Sequence, residues 1–303
     1  MDKGYKDYLK AKREGFTTRP RRNFPIRPNG RSSDFVAPGL ATGCQLTCTY
    51  CYVARHRQLG NPLEIYTNRE QIWEAVEKHA NSRPKKEPNQ CDPVYWTYDI
   101  GESSDCLTSK NIDNTNWYIN QFMQHTNAKP TFATKVANVS RLTNCSDPRR
   151  ARIRMSIAPQ NRISFLEKST STLKARIRAI QQLYDKGYEV HLNFSPIVVS
   201  VGWTTLYSSL LDKLDTELSD EVKSQLNCEV IFLTHSHQLH QSNTKHFYSQ
   251  EELLYVPPWQ EEKITGRGGS ALRYSRRYKP HFIEKFKYLI DNHLPSCQIR
   301  YIF

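Results

Sequence analysis

Three cysteines fall within one short run, Cys44, Cys48 and Cys51, with the spacing Cys-x3-Cys-x2-Cys. Tyr50 and Tyr52 flank the last of them. Three thiolates on one loop can hold three irons of a [4Fe–4S] cube, whereas ferredoxin-type carriers use four cysteines for each cluster. The fourth iron would then have no protein ligand, so it could bind and activate a cofactor or a substrate. The spacing predicts a redox centre that works through an open iron.

This cysteine spacing resembles that of radical S-adenosylmethionine (SAM) enzymes. In that class the open iron chelates the amino and carboxylate groups of SAM, and one electron splits SAM into methionine and a 5′-deoxyadenosyl radical. The cofactor carries the difficult chemistry, while the protein positions the reactants and excludes competing reactions. The resemblance implies a [4Fe–4S] cluster, SAM and an electron donor such as flavodoxin or ferredoxin.

A zinc site is the main alternative for the same loop. Zinc prefers four closed nitrogen or sulfur ligands, and His56 could complete a Cys3His set with the three cysteines. However, the x3/x2 spacing with adjoining tyrosines is unusual for zinc ribbons, which favour two Cys-x2-Cys units far apart. We therefore expect iron–sulfur chemistry and keep zinc as the alternative.

The composition fits a large enzyme domain with an anionic partner. A chain of 303 residues can bury a full core as one α/β domain. The net charge is +13, and the cations are concentrated in the first 31 residues and between Arg267 and Lys287, where Tyr274 and Tyr278 are interleaved. Because cations neutralise phosphates and aromatic faces stack on bases, we expect a nucleic acid, DNA first, as the partner.

The sequence also bears on the compartment. No apolar run approaches the ~20 residues that a membrane span needs. The N-terminus has no apolar signal segment, and the other five cysteines are scattered singly. We therefore expect a cytoplasmic protein with no membrane partner.

Strand-like and helix-like segments alternate after the cysteine loop. Alternating or β-rich stretches predict strands at 94–100, 131–136, 152–157, 189–194, 229–234 and 298–303. Helical periodicity predicts helices at 69–80, 113–125, 172–186 and 281–293. Repeated β-α-β units form parallel sheets with right-handed crossovers. We therefore predict a partial (β/α)6 TIM-type barrel with its site at the carboxyl ends of the strands. Residues 1–35 would be a basic N-terminal arm, and residues 36–303 a radical SAM domain with a C-terminal substrate-binding extension.

Several segments, in the same order, resemble the spore photoproduct lyase family. The cysteine loop ends in Tyr-Cys-Tyr, and residues 132–136, Phe-Ala-Thr-Lys-Val, are similar to that family's Phe-Val-Thr-Lys-Phe segment. Residues 154–157, Arg-Met-Ser-Ile, are similar to its Arg-Phe-Ser-Ile strand, and residues 173–177 to the start of its Lys-Arg-Ile helix. Residues 195–197 and 202–203 match its Ala-Pro-Ile and Gly-Trp elements. The similarity runs from about residue 35 to the C-terminus.

The resemblance implies a radical SAM enzyme that binds DNA and reverses a thymine–thymine photoproduct by abstracting hydrogen. By motif position Lys135, Ser156 and Arg176 would line the SAM pocket, with Ser103 also assigned to cofactor binding. Lys135 or Arg176 could pair with the SAM carboxylate. Tyr52 corresponds to the family tyrosine that helps to return a hydrogen atom, and Tyr50 could assist it.

The chain departs from the family pattern at one catalytic position. In the family, a cysteine ahead of the Ser-Asp stretch gives hydrogen to the product radical, and in this register Glu102 occupies its place. A carboxyl O–H is too strong to quench a carbon radical, so Cys106 is the candidate substitute. Glu102 could instead hydrogen-bond the substrate or act as an acid or base. The resemblance therefore leaves the final hydrogen transfer open.

Two other functions remain alternatives to radical chemistry on a nucleic acid. One keeps the radical SAM chemistry but uses a small molecule or a peptide as the substrate. The other is a zinc-stabilised nucleic-acid-binding protein without catalysis. The basic ends of the chain argue against the first, and the cysteine spacing against the second.

Overall fold

The computed structural model describes residues 10, 14–53, 63–125, 127–246, 248–264 and 269–303. Its strands are, in chain order, β1 (Phe16–Arg19), β2 (Arg27–Pro28), β3 (Phe35–Val36), β4 (Ala41–Thr42), β5 (Thr47–Cys48), β6 (Leu63–Tyr66), β7 (Trp96–Asp99), β8 (Ala128–Thr134), β9 (Arg152–Ser156), β10 (Glu167–Lys168), β11 (Glu189–Ile197), β12 (Asn227–Phe232), β13 (Thr234–His235), β14 (Gln260–Ile264), β15 (Ser270–Tyr274) and β16 (Gln298–Ile302). Its α-helices are α1 (Arg69–Asn81), α2 (Ile112–Gln124), α3 (Gln160–Leu166), α4 (Leu173–Asp185), α5 (Trp203–Glu217), α6 (Asp220–Lys223), α7 (His237–His246), α8 (Tyr248–Leu254) and α9 (Lys279–His293).

One eight-stranded sheet organises the molecule, in the order β16-β12-β11-β9-β8-β7-β3-β2. From β3 to β16 each pair of neighbours is parallel, and the spatial order follows the chain order. Only β2, at one edge, is antiparallel to its neighbour. A parallel sheet in sequential order with helical crossovers is the arrangement of a barrel, so the predicted partial TIM-type barrel is confirmed.

The two edges of this sheet meet through side chains. The Arg300 guanidinium on β16 donates to the Ser32 carbonyl oxygen at 3.1 Å, and the hydroxyls of Ser32 and Tyr301 are 2.7 Å apart. Arg31 also lies over the Phe303 ring, 4.0 Å from its centroid. The sheet is therefore curled, because residues just before β3 contact the strand at the opposite edge.

Helix α4 illustrates why the predicted elements form. The Thr172 hydroxyl accepts from the Ala175 backbone N–H at 3.3 Å and caps the helix. An apolar stripe that includes Ile177, Ile180 and Leu183 is buried against the sheet. Gly187 follows the helix with φ +86°, and a Cβ there would lie 2.8 Å from the Cys145 carbonyl oxygen, so only glycine fits this turn.

Other parts of the fold differ from the sequence prediction. Residues 135–151 join β8 to β9 without a helix, although a regular β-α-β unit would have one. The sequence analysis predicted no element at helices α3, α5, α6, α7 and α8. The segment after β12 also builds a small antiparallel sheet in the order β13-β15-β14. Across the described residues, no helix combines the length and the apolar character needed to cross a membrane.

The N-terminal segment enters the fold from its first described strand. Strand β1 pairs in parallel with β6, and β2 joins the large sheet through β3. Residues 1–9 and 11–13 of the predicted arm lie outside the described residues, as do His56 and Arg267.

Candidate active site

A cavity of about 480 Å³ opens at the carboxyl ends of the parallel strands. Its walls come from the cysteine loop and from residues at or after the ends of β7, β8, β9, β11 and β12. The predicted site residues among its lining are Cys44, Cys48, Cys51, Tyr50, Tyr52, Glu102, Lys135 and Ser156. The structure therefore brings together residues that are more than a hundred positions apart in the chain, at the end of the barrel where barrel enzymes hold their sites.

The cysteine loop is held by backbone pairing with the opposite wall. Its strand β5 pairs with β10, and the Thr49 N–H donates to the Leu166 carbonyl oxygen at 2.8 Å. The Asn243 amide donates to the Thr49 carbonyl oxygen at 2.9 Å. Cys44 and Cys48 are buried, and Cys51 is partly exposed. All three thiols thus face one cavity from a loop that is fixed on both sides.

The surroundings of the thiols bear on what they can bind. Burial raises the pKa of Cys44 to about 12, and backbone N–H groups of Asp105 and Leu46 offset this only in part. Burial also raises the pKa of Cys48 well above its usual value, and the nearby Glu167 carboxylate raises it further. A thiolate at this depth needs a bound cation, because metal coordination deprotonates a thiol outright. The loop therefore suits a metal centre better than a free nucleophile.

The spacing of the thiols bears on whether the loop suits a cluster or a single zinc ion. A tetrahedral zinc with Zn–S bonds of about 2.3 Å would hold its sulfurs about 3.8 Å apart. Within the described residues, three His, Cys, Asp or Glu ligand atoms come within 4.8 Å of one another at one place, which is elsewhere in the fold. The three sulfurs are thus spread more widely than one zinc ion requires. This arrangement leaves room for a larger inorganic cluster.

A polar pocket lies beside the thiols. The Lys135 ammonium is 3.4 Å from the Ser156 hydroxyl and 3.5 Å from the Ser195 carbonyl oxygen. The Asn193 amide donates to the same hydroxyl at 3.3 Å. The Asn193 Oδ1 atom is buried and has no hydrogen-bond partner among the described residues. Asn193 thus gives the cavity a hydrogen-bond acceptor beside the Lys135 donor. The sequence analysis missed this residue, although a polar side chain near the end of a buried strand could have indicated it.

Arg176 occupies a different place from the one we expected. It is fully buried and does not line the cavity. Its guanidinium donates to the Ser156 carbonyl oxygen at 2.9 Å, to Ser171 and Thr170, and to the Glu167 carboxylate. With these donors engaged inside the fold, Arg176 holds the wall of the pocket rather than reaching into it.

The two tyrosines beside Cys51 differ in their surroundings. The Tyr50 hydroxyl donates to the Glu167 carboxylate, and burial raises the pKa of Tyr50 well above its usual value. Tyr52 is 56% exposed and lies at the rim of the cavity. Tyr50 is therefore fixed as a neutral hydrogen-bond donor, whereas Tyr52 is accessible to a substrate.

The loop after β7 presents carboxylates to the cavity and keeps its thiol away from it. Glu102 lines the cavity and accepts from the Arg27 guanidinium. The half-buried Asp105 accepts from the Lys135 backbone N–H at 2.8 Å through its carboxylate. The Cys106 sulfur is 3% exposed, faces the Ile100 carbonyl oxygen and does not line the cavity. Ser103 is half-buried and is likewise outside the lining.

The C-terminal basic region also differs from expectation in one residue. Tyr274 is buried, and its hydroxyl accepts from the Val199 N–H at 2.8 Å, so its ring cannot stack on a base. Tyr278 is half-buried, while Arg276 and Arg277 are exposed. Strand β13, whose Thr234 lines the cavity, pairs with β15 in the same small sheet. The exposed Arg276 and Arg277 therefore lie in the turn that follows β15, a strand of the sheet that begins at the cavity wall.

Comparisons with known proteins agree on one family. A family model described as "Spore photoproduct lyase" matches residues 3–303. The spore photoproduct lyase of Bacillus subtilis (strain 168) is 26% identical over 278 residues, which cover 89% of this chain and 76% of that protein. The protein of the same name from Geobacillus sp. (strain Y412MC61) is 24% identical over 212 residues, covering 70% of this chain and 60% of that protein.

Solved structures show the same fold. A mutant spore photoproduct lyase with bound AdoMet and dinucleoside spore photoproduct matches with a TM-score of 0.87 at 20% identity, covering 100% of this chain and 86% of that one. A spore photoproduct lyase complexed with dinucleoside spore photoproduct matches with a TM-score of 0.86 at 20% identity, covering 97% and 84%.

Proposed function

The chain belongs to the spore photoproduct lyase family of radical SAM enzymes, and we propose that its cavity cleaves SAM to attack a thymine photoproduct in DNA. The observation that carries the proposal is the meeting of three thiols with Lys135, Ser156 and Asn193 in one cavity. The net charge of +13 supports a phosphate-rich substrate. An oxygen-sensitive centre and unpaired cysteines favour the cytoplasm as its compartment.

We propose that Cys44, Cys48 and Cys51 hold a [4Fe–4S] cluster. When bound, such a cluster with one open iron supplies the electron that splits SAM into methionine and a 5′-deoxyadenosyl radical. Cys44 and Cys48 are buried, the first near Asp105 in the loop after β7 and the second near Glu167, which limits access of water to this part of the loop.

Lys135 and Asn193 have complementary roles in this proposal. The Lys135 ammonium donates to the carboxylate of SAM, since its hydrogen bonds within the described residues are the long ones to Ser156 and Ser195. The Asn193 oxygen accepts from a polar N–H or O–H of the same molecule, and Ser156 orients both side chains. Tyr52 lies at the rim, where its hydroxyl can hand a hydrogen atom between substrate and cofactor.

The final hydrogen transfer to the product radical is the step at which this chain departs from the family pattern. An ion pair of Arg27 with Glu102 borders the cavity where the family pattern has a thiol. Cys106 is buried outside the cavity, so it is poorly placed to reach a substrate radical without a change in the loop. We therefore favour a radical outcome that does not end in hydrogen donation from a protein thiol. Cys106 as the donor remains the alternative.

The proposal is tested by anaerobic incubation of the cluster-loaded protein with SAM, a reductant and ultraviolet-irradiated DNA. We expect 5′-deoxyadenosine to form faster with irradiated than with unirradiated DNA, and the photoproduct to be consumed. Chromatography with mass spectrometry identifies both products. If irradiated DNA changes neither 5′-deoxyadenosine formation nor its own photoproduct content, the DNA substrate is wrong and the small-molecule or peptide alternative takes its place.

A further inference from the structure

Three side chains converge behind the wall of the main cavity. The His235 Nε2 atom is 2.6 Å from Glu251 Oε1, and the His240 Nδ1 atom is 2.7 Å from the same oxygen. One ligand atom from each of the three lies within 4.8 Å of the other two. Thr234, next to His235 on β13, lines the cavity, and successive strand residues point to opposite faces. The cluster is therefore separate from the site of the cysteine loop.

The donor set matches a zinc site, and its geometry is close to one. Two imidazole nitrogens and one carboxylate oxygen are ligands that Zn²⁺ binds at about 2.0–2.1 Å, so neighbouring ligand atoms in a tetrahedral site lie about 3.3 Å apart. The distances of 2.6 and 2.7 Å here are shorter by about 0.6 Å, which small rotations of the side chains would open. The His235 Nδ1 atom is buried without a hydrogen-bond partner among the described residues, and the ring meets Glu251 through its other nitrogen, Nε2.

Neighbouring residues hold the three side chains in place. Metal ligands in proteins are held in the same way, by hydrogen bonds from residues around the site. Asn243, which is fully buried, donates to Glu251 Oε2 at 2.6 Å and so orients the carboxylate. The His240 ring stacks on Tyr255, with 3.8 Å between ring centroids. Each of the three ligands belongs to a different element, β13, α7 or α8, so a metal would join three segments of the C-terminal extension.

Charge and access also favour a cation. Glu251 is 4% exposed, and its ion pairs within the described residues are both with histidines. A buried carboxylate requires a compensating positive charge, which a bound cation would supply directly. The His240 side chain is 29% exposed, which gives a path from solvent and room for a water ligand.

We propose that His235, His240 and Glu251 bind one Zn²⁺, with water in the fourth position. The ion joins β13, α7 and α8. Through Asn243, which also donates to the Thr49 carbonyl oxygen, it fixes the cysteine loop between Cys48 and Cys51. This site does not depend on the proposed reaction, because none of its ligands lines the main cavity.

The test uses the full-length protein with its iron centre loaded anaerobically, so that the cysteine loop cannot take the added zinc. After a chelator wash, the protein is titrated with ZnCl₂, and both metals are counted by mass spectrometry. We expect one zinc per chain beyond the iron, and at least a tenfold loss of zinc affinity in His240→Ala and in Glu251→Gln. His237→Ala is the matched control, since His237 lies on the same helix and contacts Glu262 rather than the cluster.

Circular dichroism and the iron content identify variants that fail to fold. Glu251→Gln preserves the shape of the side chain, so it keeps the test usable if His240→Ala is unstable. Folded variants that bind zinc as tightly as the wild type would overturn the proposal. Absence of zinc binding to the wild-type protein at micromolar concentrations would overturn it as well.

Discussion

Lys135 is one of the cations that line the cavity, and its ammonium lies beside the Ser156 hydroxyl. Within the described residues its ammonium makes long hydrogen bonds to Ser156 and Ser195, and its backbone N–H is anchored by Asp105, so the side chain can be removed without breaking the wall. If it binds the SAM carboxylate, Lys135→Ala should weaken SAM binding by about 1.5–3 kcal/mol, or roughly 10- to 150-fold in Kd. Equilibrium binding of SAM measures this, with the exposed Lys174→Ala as the control. An unchanged Kd would mean that Lys135 does not bind SAM.

Arg176 should respond to substitution in a different way. Its guanidinium is fully buried against the Glu167 carboxylate, and removing one partner of a buried pair leaves the other charge uncompensated. Arg176→Ala should therefore lower the free energy of unfolding by about 3–5 kcal/mol. Denaturant unfolding monitored by circular dichroism measures this loss. A stable Arg176→Ala protein that has lost only SAM affinity would return Arg176 to the binding role suggested by its motif.

Substitutions at Glu102 and Cys106 test how the product radical is quenched. The Cys106 sulfur lies outside the cavity, so Cys106→Ala should leave the DNA products and their ratio unchanged. Glu102→Cys would put a thiol at the cavity wall and should increase clean repair of the photoproduct. Mass spectrometry of digested DNA distinguishes these outcomes. New side products in Cys106→Ala, with 5′-deoxyadenosine still formed, would identify Cys106 as the donor.

Among the elements, the small sheet β13-β15-β14 connects the cavity to the exposed cations near the C-terminus. Arg276 and Arg277 are exposed just after β15, and Lys263 is exposed on β14. If Arg276 and Arg277 each neutralise a phosphate, the double variant Arg276→Gln/Arg277→Gln should reduce the slope of log K against log salt. The expected reduction is about 0.9 for each phosphate that the variant no longer neutralises.

Fluorescence anisotropy with labelled duplex DNA at several salt concentrations measures this slope. Lys85→Gln is the control, because Lys85 is exposed in the loop that precedes the amino end of β7. An equal slope for the double variant and the wild type would mean that DNA binds elsewhere. Deleting residues 1–31 is a poorer test, since it would also remove β1, β2 and the Arg27 partner of Glu102.

The elements with strong local signals were predictable from the sequence. Helix α4 has a capping threonine, a regular apolar stripe and a terminal glycine, and its observed bounds, Leu173–Asp185, differ from the prediction by one residue at each end. Helix α7 has a polar sequence with two buried residues, Leu239 and Asn243, so its periodicity was too weak to detect. Its position depends on contacts with distant elements, which a single sequence does not reveal.

On the scale of the whole molecule, the curled sheet determines which residues share the cavity. The carboxyl ends of strands from β7 to β12 converge there, so polar residues at strand ends could be expected to meet. Motif position suggested both Lys135 and Arg176 as SAM-binding residues. In the fold, however, Lys135 lines the cavity, whereas Arg176 is buried in the wall behind it. Glu167 and Asn193 carried no motif, and only the packing of β10 and β11 reveals their contacts with Tyr50 and Ser156.

The cysteine loop carries the central claim, since every proposed step depends on a cluster held by Cys44, Cys48 and Cys51. The most direct measurement is the iron and sulfide content of the protein after anaerobic reconstitution. We predict about four irons per chain, absent from Cys44→Ala, Cys48→Ala and Cys51→Ala but retained in the control Cys91→Ala. A wild-type protein that binds no iron, and instead holds a zinc ion that Cys44→Ala cannot hold, would contradict the account.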